Sequence, residues 1–372
     1  MPSSLRKAIN LAGILIALSP GYEGGRLAFN SARGDEVDEY VEAQRAQLRI
    51  PGLALLVVKD GRTIKAQGYG LANVELQAPV TAESIFQLGS VGKQFTATAV
   101  MMLVERGKLA VDDPVNKYLT AAPDNWHAIT IRHLLSHTAG VGDFSASFDM
   151  RKDCTEDELL NAIFQIPLHS APGEGWHYSN PGYVALGILI GKVTGQFYGD
   201  FLRDQIFRPL GMTATRIISE DDIVPHRAAG YRLVDGELKN QKWVSPTMNS
   251  TADGSLYTNL LDMAKWDAAL SDKRLLKTET LEQMWTVATL NDGKPNPGNY
   301  GFGWFCEEIN GHKVVMHSGA WQGFVAHIAR YRDDKLTVVM LANLSADSSK
   351  GFFKIGQTVA GMYVRELAPA RD

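Results

Sequence analysis

The chain is poor in cysteine, in basic clusters and in long apolar runs, and each shortage removes a class of explanation. Two cysteines in 372 residues, Cys154 and Cys306, cannot build a disulfide framework, and neither sits in a cluster with zinc spacing. Two separate free thiols are expected, with a single bridge as the alternative. Lys and Arg (37) nearly balance Asp and Glu (41), leaving a net charge of -4. No basic run is interleaved with aromatics, so nucleic acid is not an expected partner. The N-terminal apolar run Ala8 to Leu18, interrupted by Asn10 and Gly13, is too short to cross a bilayer. No Gly-x-Ser-x-Gly elbow and no His-Glu-x-x-His pair occurs, which sets aside two common hydrolase designs.

What is present reads as globular, with 45% hydrophobic and 21% charged residues. Arg6 and Lys7 ahead of Ala8–Leu18 have the form of a secretory signal, with small residues at Ser31-Ala32 as a weak cleavage region. Residues 1–32 are therefore read as a leader, and the protein as periplasmic or secreted, with the cytoplasm as the alternative.

Asp35 to Leu48 patterns as a helix with Val37, Tyr40, Val41 and Leu48 on one stripe. Leu53–Val58 and Thr63–Tyr69 pattern as strands around the turn Lys59-Asp60-Gly61-Arg62. Near the other end, Lys313–Ser318, Phe324–Tyr331 and Leu336–Leu344 are three strands rich in β-branched residues, followed by an amphipathic helix over Phe352–Leu367. Tight hairpins imply antiparallel pairing, so an α+β fold is expected: one antiparallel sheet of five or more strands, built from both chain ends and flanked by terminal helices. The sheet part covers 33–83 and 300–372. The mainly helical part, 84–299, is inserted between them, and the cleft between the two is the expected place for a site.

Three short patterns carry possible chemistry. Ser90-Val91-Gly92-Lys93 opens a long apolar stretch, and its spacing sets the Lys93 amine above the Ser90 hydroxyl. Serine holds its proton too tightly to attack unaided, whereas an amine desolvated by burial binds its own proton less strongly and can take one from serine. Ser4 and Lys7 share the spacing without meaning, so the pair needs partners elsewhere. Tyr178-Ser179-Asn180 and His317-Ser318-Gly319-Ala320 are the candidates. Tyr257-Thr258-Asn259, Lys59-Asp60-Gly61 and Lys354-Ile355-Gly356 are counterfeits that read better as a helix N-terminus, a hairpin turn and a helix.

The order Ser-x-x-Lys, Tyr-x-Asn, His-x-Gly resembles the serine β-lactamase and penicillin-binding protein superfamily, over about residues 35 to 366. Leu134-Leu135-Ser136-His137-Thr138-Ala139-Gly140, Tyr178-Ser179-Asn180-x-Gly182-Tyr183 and Ala252-Asp253-Gly254-Ser255 fit the branch of class C β-lactamases, D,D-carboxypeptidases and related esterases. The resemblance implies that Ser90 forms an acyl-enzyme and that Lys93 and Tyr178 share the proton traffic. It implies that Asn180 binds the substrate amide and helps fix Lys93, and that the Ser90 and Ala320 N–H groups form an oxyanion hole. It also implies a substrate edge along His317, Ser318, Gly319 and Ala320, with Gly319 leaving that edge clear. No cofactor or metal is implied, and the partner is a small-molecule or peptide substrate. Most β-lactamases carry Lys where this chain has His317, and a His is largely neutral near pH 7. This favours an ester or D-amino-acid peptide over a β-lactam. A class C-like β-lactamase and a non-catalytic penicillin sensor are the alternatives.

Plain structural roles compete for several residues. His133 and His137, four apart, lack a third ligand at suitable spacing and read as capping and packing residues. Trp304, Trp321 and Phe324 divide evenly between pocket and core, His177 reads as loop packing, and Glu174 and Asp253 read as loop and turn residues.

Overall fold

The computed structural model describes residues 31–145, 148–219, 221–348 and 351–369. The proposed leader, apart from its last two positions, lies outside them. Seven strands form the main sheet: β1 (Gly52–Lys59), β2 (Arg62–Asn73), β3 (Ala78–Pro79), β4 (Phe305–Ile309), β5 (His312–Trp321), β6 (Phe324–Tyr331) and β7 (Leu336–Ala342). Their order across the sheet is β3-β2-β1-β7-β6-β5-β4, and every pair is antiparallel. The two chain ends meet at β1 and β7, in a register running from Leu53↔Ala342 to Lys59↔Leu336.

Alternation along β1 explains the layering. Ala54, Leu56 and Val58 point into one buried cluster, shared with the inserted helical part. Leu53, Leu55 and Val57 point into the other, which the terminal helices α1 (Ser31–Gln47) and α6 (Phe352–Tyr363) cover with Val37, Val41, Phe352, Ile355 and Val359. A strand buried on both faces needs a near-continuous apolar run. Each such side chain withdrawn from water contributes about 1.5–3 kcal/mol before entropy is counted. Between β3 and β4 the chain forms most of the remaining helices, among them α2 (Lys93–Glu105), α3 (Ile131–Leu135), α4 (Asn180–Thr194) and α5 (Leu260–Ser271). None of the helices among the described residues is long and apolar enough to cross a membrane. Cys154 and Cys306 are unpaired thiols.

Two details depart from the sequence reading. The strand expected to end at Ser318 runs on to Trp321, with only Gln322 and Gly323 left for the turn. The terminal helix breaks at Val364, whose backbone is extended, before a short 3-10 turn over Arg365–Leu367.

Candidate active site

The site starts with two glycines. Strand β5 pairs with β4 only as far as Met316↔Phe305, so from His317 to Trp321 that edge has no strand beside it. The two-residue turns closing both hairpins fix which groups face the gap: in an antiparallel ladder inward and outward pairs alternate, and the N–H and C=O of Ala320 point away from β6. A 3-10 turn, Gly89–Gly92, fills the gap. A Cβ on Gly319 would lie 1.9 Å from the Leu88 carbonyl oxygen, and one on Gly89 would lie 2.5 Å from the Ala320 nitrogen. Gly89 also takes a positive φ of 53°, a conformation that favours glycine. Gly319 thus serves the packing of the Ser90 turn against the strand, not clearance for a bound molecule as the sequence had implied. Ser90 sits in the first turn of that 3-10 segment, where backbone N–H groups lack intrahelical acceptors.

Lys93 begins α2 and is fully buried. Its Nζ lies 2.9 Å from Ser90 Oγ, 2.7 Å from Asn180 Oδ1 and 2.8 Å from the Asp253 carbonyl oxygen. Two of these partners only accept, and the third is a hydroxyl that either accepts or donates. A protonated Lys93 therefore donates to all three. A neutral one donates to Asn180 and Asp253 and turns its lone pair to the Ser90 proton. Burial pushes the amine down to about 8, against the opposing charges of Asp253 and Asp143.

Tyr178 lies beside Lys93, and burial raises its phenol well above the usual range. Lys93 Nζ stands 5.0 Å from the centre of the Tyr178 ring and 5.4 Å from that of Tyr183. Asn180, the first residue of α4, donates through Nδ2 to Asp143 at 3.1 Å, which orients its oxygen to Lys93.

The structure therefore gathers Ser90, Lys93, Tyr178 and Asn180 into one cluster, with Ala320 across the gap from the Ser90 turn. Ser318 is partly exposed and Ala320 exposed, whereas His317 and Gly319 alternate onto the buried face. His317 is 1% exposed. Its Nδ1 donates to the Ser318 carbonyl at 2.6 Å, leaving Nε2 to accept from the Tyr300 hydroxyl at 2.9 Å. Burial, with the nearby Lys93 charge, pushes it down to about 3. The His317 side chain thus supports the wall formed with Tyr300 and offers no free polar atom to a bound molecule.

A beta-lactamase family model matches residues 37–354. The chain belongs to the beta-lactamase family. Penicillin-binding protein 4* of Bacillus subtilis is 30% identical over 312 residues, covering 79% of this chain and 68% of that protein. Among solved structures, the octameric penicillin-binding protein homologue from Pyrococcus abyssi is 29% identical with a TM-score of 0.78, over 89% of this chain and 77% of that one. The D-amino acid amidase from Ochrobactrum anthropi SV3 is 25% identical with a TM-score of 0.72, over 89% and 99%.

Within this family frame, several site neighbours escaped the sequence reading. Asp253 reads in the sequence as a turn residue, yet its carbonyl holds Lys93 and its carboxyl is buried beside the amine, with Oδ1 lacking a hydrogen bond. Asp143 lies three residues beyond the Leu134–Gly140 block, with no spacing pattern of its own to mark it. Tyr300 follows a loop with no pattern to mark it. His133 proves to be a capping residue, its Nδ1 accepting from the Thr130 N–H at 3.1 Å.

Proposed function

We propose that this protein is a serine hydrolase that works through an acyl-enzyme on esters or on amides of D-amino-acid type. The observation that carries the reading is the buried Lys93 amine, 2.9 Å from Ser90 Oγ and satisfied by its partners in either protonation state. Neutral Lys93 takes the Ser90 proton as Oγ attacks the carbonyl carbon. The resulting oxyanion lies between the Ser90 and Ala320 N–H groups, each such donor contributing about 3 kcal/mol to the transition state. The neutral Tyr178 hydroxyl gives its proton to the leaving group and regains one from Lys93. Water then attacks the acyl carbon, its proton passes to the same pair, and Ser90 Oγ departs reprotonated.

Two features support the substrate class. A buried, neutral His317 supplies no cation for a carboxylate next to the scissile bond, which favours esters and amides lacking one over β-lactams. The amidase relative acts on a D-amino acid amide, by its name, with the same fold. The test is turnover of a p-nitrophenyl short-chain ester, a D-amino acid amide, a D-Ala-D-Ala peptide and a penicillin, with mass spectrometry of the protein. The expected result is turnover of the first two with a transient adduct on Ser90, absent in Ser90→Ala. Failure of all four substrates, with no labelling by a fluorophosphonate, would overturn the reading. A stable penicillin adduct without turnover would support the sensor alternative instead.

A further inference from the structure

We propose that His137 is a positioning residue for Tyr178, holding the two backbone amides on either side of it. The His177 N–H donates to the His137 carbonyl at 2.8 Å, and the Ser179 N–H donates to His137 Nδ1 at 3.1 Å. One residue thus grips the chain immediately before and after the phenol. The imidazole also lies against the Tyr178 ring, with centroids 4.2 Å apart and planes 36° from parallel. This inference rests on the reading of Tyr178 as a proton carrier.

His137 adopts a positive φ of 60°, which an L-residue holds only at some cost. That backbone turn lets a single residue present both its carbonyl and its ring nitrogen to the 177–179 segment. Neighbouring bonds extend the attachment, with the Gly173 N–H donating to the Thr138 carbonyl and the His169 N–H to the Gly140 carbonyl, both at 2.8 Å. Because Nδ1 accepts, the proton of the neutral ring sits on Nε2. That atom is buried without a partner, in an aromatic box with Trp176, Tyr183 and Tyr300 around the ring. Burial, helped by the Lys93 charge, keeps the ring neutral, so the acceptor persists at working pH.

The conservative replacement is His137→Asn, since an Asn Oδ1 falls near the place of Nδ1 and Asn tolerates this backbone region. His137→Phe retains a ring and removes the acceptor. His137→Gly removes both while fitting the backbone without strain, and serves if the Phe variant does not fold. The experiment measures ester kcat and KM, and the rate of Ser90 labelling by a fluorophosphonate, for these variants, for Tyr178→Phe and for the Tyr178→Phe/His137→Phe double variant (or the corresponding Gly double). The expected result is a kcat at least tenfold lower in His137→Phe with KM within twofold, most of it restored in His137→Asn. The double variant should be no slower than Tyr178→Phe alone. Wild-type kcat in His137→Phe or His137→Gly, or additive losses in the double variant, would overturn the proposal. Wild-type activity in Tyr178→Phe would remove the reading beneath it.

Discussion

The two halves of strand β5 are built from the same backbone and do opposite things. From His312 to Met316 the strand is zipped to β4, and its outward N–H and C=O groups serve the sheet. From His317 to Trp321 that partner is gone, and the 3-10 turn carrying Ser90 occupies its place. The candidate site arises where strand pairing stops one neighbour short. The lower half needs only a good hairpin, whereas the upper half needs backbone-to-backbone contact that only glycine permits.

Gly319→Ala should break the upper half with the largest effect. Its new Cβ would meet the Leu88 carbonyl oxygen at 1.9 Å, so the Ser90 turn must shift away from Ala320. Loss of oxyanion alignment then lowers kcat about 100-fold, with far-UV circular dichroism retained. A variant of unchanged kcat would show that the close approach is not needed.

Next in size is the acid response of His327, which stands across from Ser318 on β6. Burial pushes it from 6.5 down to about 4, and its Nδ1 has no partner. Below pH 6.5 the unfolded chain takes up a proton that the folded chain refuses, so stability falls as pH drops from 6.5 towards 4. The loss reaches a few kcal/mol, at about 1.4 kcal/mol per pH unit. Denaturant midpoints across that range should decline in the wild type and less steeply in His327→Gln. Parallel declines would remove His327 from the account.

Asp253→Asn sharpens the comparison from the Lys93 side. Removing a buried negative charge beside the amine leaves desolvation less opposed, so Lys93 releases its proton at lower pH. The acid limb of kcat/KM should move down by about one pH unit, equivalent to about 1.4 kcal/mol. An upward shift would reverse the assigned sign. Smallest of all, Gly311→Ala in the lower hairpin has a positive φ of 85° but open space around it. It should cost about 1 kcal/mol of stability and leave kcat unchanged.

The same contrast explains what could be read beforehand. Strands such as β1 and β7 announce themselves because both faces are buried and nearly every residue is apolar. β4, Phe-Cys-Glu-Glu-Ile, is a partly exposed edge strand, and β3 is two residues long, so neither had a pattern to betray it. The cluster of Ser90, Lys93, Tyr178 and Asn180 was legible because the proposed chemistry dictates residue type and spacing. Gly319 was legible as a glycine that mattered but not for its reason, since the atom it avoids belongs to Leu88, 231 positions earlier. The hold of a backbone carbonyl on Lys93 leaves no trace in residue type at all, and the Tyr300 hydroxyl meets His317 only through the fold.

The central claim is that neutral Lys93 removes the Ser90 proton, and the pH dependence of Ser90 acylation by a fluorophosphonate tests it most directly. With the amine held down to about 8 by burial, the wild-type rate should rise with pH through a midpoint near that value. Lys93→Ala should be slower and lack that rise. A wild-type rate flat from about pH 6 to about pH 10, where an unshifted lysine would also begin to titrate, or one unaffected by Lys93→Ala, would contradict the account.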